Sequence, residues 1–284
     1  MGRLADTLEL VKFSHTLFAL PFAAAAALAA AGGIPTNRVC GGILLAMVGA
    51  RTAAMAFNRI ADLRYDRENP RTAMRPLVSG RLGLGWAWGV TGASAALFVA
   101  ACARLLNPLC LLLSPVALGW VLGYSYAKRF TSAAHLWLGV GLGMAPVGAW
   151  AAVRGDLSDP APWILGTAVA LWTAGFDLLY ACQDAEFDKS MGLHAVPARF
   201  GIPVALKLST LLHVLAAGLL AGFVRAAGLG VISYGAVGGM ALLLAWEHRL
   251  VKPDDLSKLD AAFFTLNAAS SVLIAAGVAV DVLR

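Results

Sequence analysis

Long apolar runs separated by short polar segments recur along the whole chain. Nine of them approach or exceed the ~20 residues that a helix needs to cross a bilayer. They cover 14–33, 39–61, 86–104, 108–127, 133–153, 161–182, 204–226, 229–246 and 261–282. The runs are continuous and too long for strands, so the pattern predicts an all-α integral membrane protein of nine transmembrane helices. No stretch reads as a soluble domain or a flexible linker, and residues 1–284 are expected to form a single membrane domain.

The polar segments repeat as well. Acidic clusters end the second and sixth runs, and polar tails follow the fourth (Lys128-Arg129) and the eighth (Glu247-His248-Arg249). Equivalent features four helices apart predict two four-helix units plus one appended helix, around a central cavity opening to the cytoplasm. An even number of helices per unit keeps both copies in the same orientation.

Charge fixes the expected direction of the chain. With the N-terminus in the cytoplasm, 16 Lys and Arg residues fall on the inner side and five on the outer side, with Arg51 inside a helix. That bias is the positive-inside pattern and puts both acidic clusters on the cytoplasmic side; the expected location is the cytoplasmic (inner) membrane. The net charge of +6 follows from the same asymmetry. Because the basic residues are spread over short loops, it implies the lipid bilayer as partner and no nucleic acid. With 60% hydrophobic and 13% charged residues, the composition excludes an ordinary soluble domain. Cys40, Cys102, Cys110 and Cys182 lack metal-ligand spacing and read as small apolar packing residues.

The candidate chemistry lies in the two clusters, Asn58-x3-Asp62-x3-Asp66 and Asp177-x6-Asp184-x3-Asp188. Steps of four and seven put each set on one helix face, where like charges repel unless a cation joins them. Mg²⁺ takes oxygen ligands and bridges carboxylates to substrate phosphates, so Mg²⁺ carrying a diphosphate is the expected ligand. Arg71, Arg75, Lys128 and Arg129 would add charge-assisted bonds to the phosphate oxygens. Arg51 and Asp177 sit deeper, with Tyr180 beside the latter. They read either as a structural ion pair or as the lining of a pocket that takes an anionic acceptor. Arg59 stands one residue round the helix from Asn58, away from the metal-binding face. The segment 69–80 is expected to be irregular or a short helix, and 182–201 is expected to break at Gly192 and Pro197. Ser14, His15 and Thr16, at the inner end of the first run, read first as interfacial caps, with contact to an acceptor as the alternative. His194, in the loop after the second cluster, reads either as a surface residue or as a catalytic one; His135, His213 and His248 carry no metal-ligand spacing, and Trp86, Trp88, Trp137, Trp150 and Trp163 read as interfacial anchors.

Three blocks resemble the UbiA superfamily of intramembrane aromatic prenyltransferases: NRIADLRYDRENPRTAMRPLVSGRL (58–82), YSYAKRFT (124–131) and DLLYACQDAEFDKSMGLHAVPARFG (177–201). The opening KFSHTLFALPFA (12–23) is similar to the start of bacterial quinone-pathway members. The resemblance implies nine helices around a cavity, Mg²⁺ on both Asp-rich motifs and a polyprenyl diphosphate donor. It assigns Asn58, Asp62 and Asp66 to the first motif and Asp184 and Asp188 to the second. Arg71, Arg75 and Lys128 match diphosphate-binding positions, while Arg51, Tyr124 and Asp177 match pocket positions. Asn58-Arg59 departs from the usual Asn-Asp start and resembles the branch that prenylates 1,4-dihydroxy-6-naphthoate on the way to menaquinone. That acceptor and 4-hydroxybenzoate, on the way to ubiquinone, are both small hydroxylated aromatic carboxylates. A transporter of an anionic or phosphorylated solute is the alternative from another class, since it too would use a repeat and a polar central site.

Overall fold

The computed structural model describes residues 2–11, 18–259 and 262–284, and among them it is helical with no strand. Its helices are α1 (Arg3–Leu10), α2 (Leu20–Ala31), α3 (Asn37–Ala61), α4 (Leu63–Glu68), α5 (Leu84–Arg104), α6 (Pro108–Ala127) and α7 (Ala134–Arg154). They continue with α8 (Ala161–Ala181), α9 (Ala185–Ser190), α10 (Val196–Phe200), α11 (Ile202–Ala226), α12 (Val231–Leu250) and α13 (Asn267–Leu283).

Seven helices among the described residues are long and apolar enough to cross a membrane, making this a multi-pass membrane protein. They coincide with seven of the nine expected runs. The first expected run corresponds to α2, of which 12 residues are described as helix. Lys12, Ser14, His15 and Thr16 lie outside the described residues. The eighth run is α12, 20 residues long and carrying Glu247-His248-Arg249 in its last turn. These three residues are not a tail beyond the helix. Glu247 is fully buried and accepts a hydrogen bond from Asn267 Nδ2 at 2.7 Å. Next to it, His248 Nε2 meets His213 Nδ1 at 2.9 Å.

The chain divides into two compact units. One comprises residues 1–16 and 38–126, the other 17–37 and 127–284. The division does not follow the expected four-plus-four-plus-one grouping, because α2 belongs with the later helices. Its alanine-rich surface is the reason: Ala23, Ala25, Ala26, Ala27 and Ala30 are buried, and the helix packs on α7 and α13.

In the first unit, α1 is clamped by Arg81, whose guanidinium donates to Asp6 Oδ1 at 2.6 Å and to Glu9 Oε1 at 2.7 Å. Gly49 of α3 faces the backbone of α5, where an added Cβ would stand 2.8 Å from Phe98 N and Ser94 O. In the second unit, α8 is the central helix and packs on α7 and α11. Its Trp172 and Phe176, with ring centroids 4.8 Å apart, meet Phe22 and Phe18. Gly139 and Gly143 of α7, spaced as Gly-x3-Gly, let the two backbones approach until any Cβ would strike the carbonyls of Ala170 and Gly166. Trp86, Trp88 and Trp163 are exposed as anchors should be, but Trp150 is buried in the unit.

Candidate active site

The two Asp-rich motifs fold alike. The helix expected to run through Asp66 bends at Asp62, which has φ −92° and ψ 6°, before the six-residue α4 begins. In the second motif α8 tightens into a 3₁₀ turn over Cys182–Asp184. Asp184 then takes φ −101° and ψ 5° before the six-residue α9. Both aspartates therefore sit in the sparsely allowed bridge region. Each is followed four residues later by a second, buried aspartate, Asp66 or Asp188.

In the first motif the ladder is kept through the bend, with Asp62 N–H bonded to Asn58 O and Asp66 N–H to Asp62 O. Asn58 Nδ2 donates to Asp62 Oδ2 at 2.9 Å, so amide and carboxylate lie side by side. Helix α4 ends at Asn69, the residue before Pro70, as proline requires. Asn69 Oδ1 then accepts from the Arg71 N–H at 2.9 Å, and Thr72 Oγ1 donates to the Asp66 carbonyl at 2.7 Å. These bonds fold the 70–75 turn back on α4, and Arg75 Nη1 reaches Asp66 Oδ1 at 2.6 Å. Arg59, one residue round the helix from Asn58, is buried with Nη1 3.7 Å from Asp66 Oδ2, an ion pair that the spacing did not suggest. Arg71 is exposed on the turn, and Tyr124 is half-buried near the end of α6. Arg51 lies within α3, and its Nε is buried without a hydrogen-bond partner among the described residues.

In the second motif the chain leaves α9 through Gly192, at φ 68°. Leu193 N–H returns to Asp188 O, and His194 N–H donates to Lys128 O at 2.8 Å. That return brings Lys128 Nζ to 3.5 Å from Asp188 Oδ2. Arg129 is half-buried beside it. Pro197, expected as a break, instead starts α10 in its first turn, where a missing N–H costs nothing. Asp177 and Tyr180 are half-buried on α8. The carboxylate of Asp177 is engaged by His135, whose Nδ1 is 2.7 Å from Oδ2. No motif joins the pair, which stands 42 residues apart in the sequence, so His135 carries no local signal of this role.

Among the described residues no three His, Cys, Asp or Glu side chains converge as a closed metal cage. The motifs supply hard oxygen donors in pairs, which suits an ion that keeps water and completes its shell with substrate phosphates. A Mg²⁺ ion fits that donor set.

Fold and motifs together define a polytopic helical membrane enzyme with two acid–base turns. The UbiA prenyltransferase family model matches residues 19–269. The chain belongs to that family and is an aromatic prenyltransferase, which removes the solute-transporter alternative. A 4-hydroxybenzoate octaprenyltransferase from Photobacterium profundum is 31% identical over 259 residues, 89% of this chain and 87% of its own. The apo structure of a UbiA homolog from Aeropyrum pernix K1 is 39% identical. It covers 95% of this chain and 98% of that one, with a TM-score of 0.85. A UbiA homolog from Archaeoglobus fulgidus, bound to DMAPP and Mg²⁺, shares the fold at 21% identity and a TM-score of 0.73. It covers 95% of this chain and 99% of its own.

Proposed function

We propose that the protein transfers a polyprenyl group from polyprenyl diphosphate to 4-hydroxybenzoate or 1,4-dihydroxy-6-naphthoate in quinone biosynthesis. The reading rests on one observation above the others: two turns of the same conformation, each pairing a buried aspartate with a basic side chain. The relatives' names support the 4-hydroxybenzoate form, and Asn58-Arg59 supports the naphthoate form.

Asn58, Asp62, Asp66, Asp184 and Asp188 would hold Mg²⁺, which neutralises diphosphate charge when bound. Arg71, Arg75, Lys128 and Arg129 bind the phosphate oxygens. Arg75 and Lys128, now bonded to Asp66 and Asp188, re-aim toward the substrate and strengthen as negative charge builds on the leaving group. The allylic C–O bond breaks, the ring carbon ortho to a phenolic hydroxyl forms the new C–C bond, and the ring proton leaves to diphosphate or to Asp184. Arg51, Tyr124, Asp177 and Tyr180 line the acceptor pocket. An acceptor carboxylate would satisfy the buried Arg51 Nε, a group that costs about 1–3 kcal/mol when left unpaired. Nine spans, the N-terminus and active site on the cytoplasmic side of the inner membrane, and one domain over both units complete the reading; the family match across both units supports the last.

Purified protein incubated with Mg²⁺, a panel of prenyl diphosphates and both acceptors, read by mass spectrometry, tests the reaction. Product must vanish with EDTA and in Asp62→Ala and Asp184→Ala; near-normal turnover in either variant contradicts the metal assignment.

A further inference from the structure

His135 lies in the first turn of α7, and only 3% of its side-chain surface is exposed. Nδ1 is 2.7 Å from Asp177 Oδ2, and Nε2 is 3.4 Å from the backbone nitrogen of Val196. An amide N–H can only donate, so Nε2 presents its lone pair and the ring proton resides on Nδ1, directed at the carboxylate. The short donor-to-carboxylate distance is that of a charge-assisted bond. One Asp177 oxygen is thus committed, while 15% of the Asp177 side-chain surface remains accessible.

The other partner matters equally. Val196 opens α10, in the segment that follows the second acid turn. The same segment is tied to the turn after α6 through His194 N–H and Lys128 O. The imidazole therefore joins the chain beyond the second motif to a carboxylate one turn pair before it.

We propose that His135 is a positioning residue for the acceptor: by holding one Asp177 oxygen through Nδ1–H, it turns the other toward the phenolic hydroxyl of the aromatic substrate. A carboxylate there accepts a phenol O–H and repels an acceptor bound in reverse, carboxylate first. The inference rests on Asp177 lining the acceptor pocket, as proposed above.

The test uses the full-length protein in nanodiscs with Mg²⁺ and geranyl diphosphate, varying 4-hydroxybenzoate and 1,4-dihydroxy-6-naphthoate in turn. His135→Phe should raise the acceptor KM about tenfold or more, equivalent to about 1.4 kcal/mol, and leave the geranyl diphosphate KM within about twofold. His135→Asn, whose amide N–H replaces Nδ1–H, should restore the acceptor KM to within about threefold of wild type. Adding His135→Phe to Asp177→Asn should cost nothing further, because the two act as one unit. If His135→Phe does not fold, His135→Gln takes its place. Its longer amide reaches toward Val196 but not Asp177, and the acceptor KM should rise likewise. Equal loss in the Asn and Phe variants, or additive loss in the double variant, overturns the proposal. An acceptor KM that rises in Asp177→Asn but not in His135→Phe overturns the role of His135 alone. An acceptor KM unchanged in Asp177→Asn defeats the pocket assignment and this inference together.

Discussion

Asp66 carries two arginines in unlike settings, and they predict unlike phenotypes. Arg59 is buried at 3.7 Å, whereas Arg75, part-exposed on a turn, bonds at 2.6 Å. Removing Arg59 strips a buried partner from a buried carboxylate. Arg59→Ala should therefore destabilise the ligand-free protein, seen as an earlier melting transition in detergent, although Asp66 keeps its bond to Arg75. Arg75→Ala should melt closer to wild type but raise the KM for prenyl diphosphate about tenfold or more, since a charge-assisted phosphate bond is lost. Identical melting of both variants would show that burial does not separate their roles. The positions of Asp62, Asp66, Asp184 and Asp188 were legible from spacing alone. The role of Arg59 was not, because the bend at Asp62 shifts Asp66 off the straight-helix face on which the sequence reading placed it.

At the scale of elements, small residues decide how closely helices approach. A Cβ at Gly143 of α7 would strike the Gly166 carbonyl of α8, while one at Gly148 on the same helix meets nothing within 4 Å. Gly143→Val should depress the melting temperature strongly, while Gly148→Ala should leave it nearly unchanged, by thermal unfolding in detergent. Equal effects would remove the close α7–α8 contact from the account. Helix α1 is held differently, by charge. The Arg81 guanidinium, bonding to Glu9, keeps that carboxyl below its ordinary value of 4.5. A carboxyl lowered in the folded state stabilises above its unfolded pKa and loses that contribution as the pH falls through the folded one. Proteolysis of α1 should therefore rise below about pH 4.5. The change will be small, since the pair is exposed and screened by solvent. Glu9→Gln should abolish the pH dependence that Glu9 contributes.

At the scale of the whole molecule, the charge bias makes a topological prediction. In a cysteine-free background, a membrane-impermeant maleimide applied to intact spheroplasts should label Ser158→Cys, between α7 and α8, and spare Ser190→Cys, at the end of α9. The reverse pattern would invert the protein and put the acid turns on the outer face. Apolar length and the spacing of the aspartates were enough to indicate a helical membrane protein with two acid clusters, and the three motif blocks carried its resemblance to a prenyltransferase. These signals are local: each depends on residues within a few helical turns. Tertiary structure alone decided that α2 joins α7 and α13, that Glu247 turns inward to Asn267, and that His135 faces Asp177 across 42 residues. Such pairings depend on which helix faces become neighbours once apolar surfaces interlock, and no periodicity along a single helix records that choice.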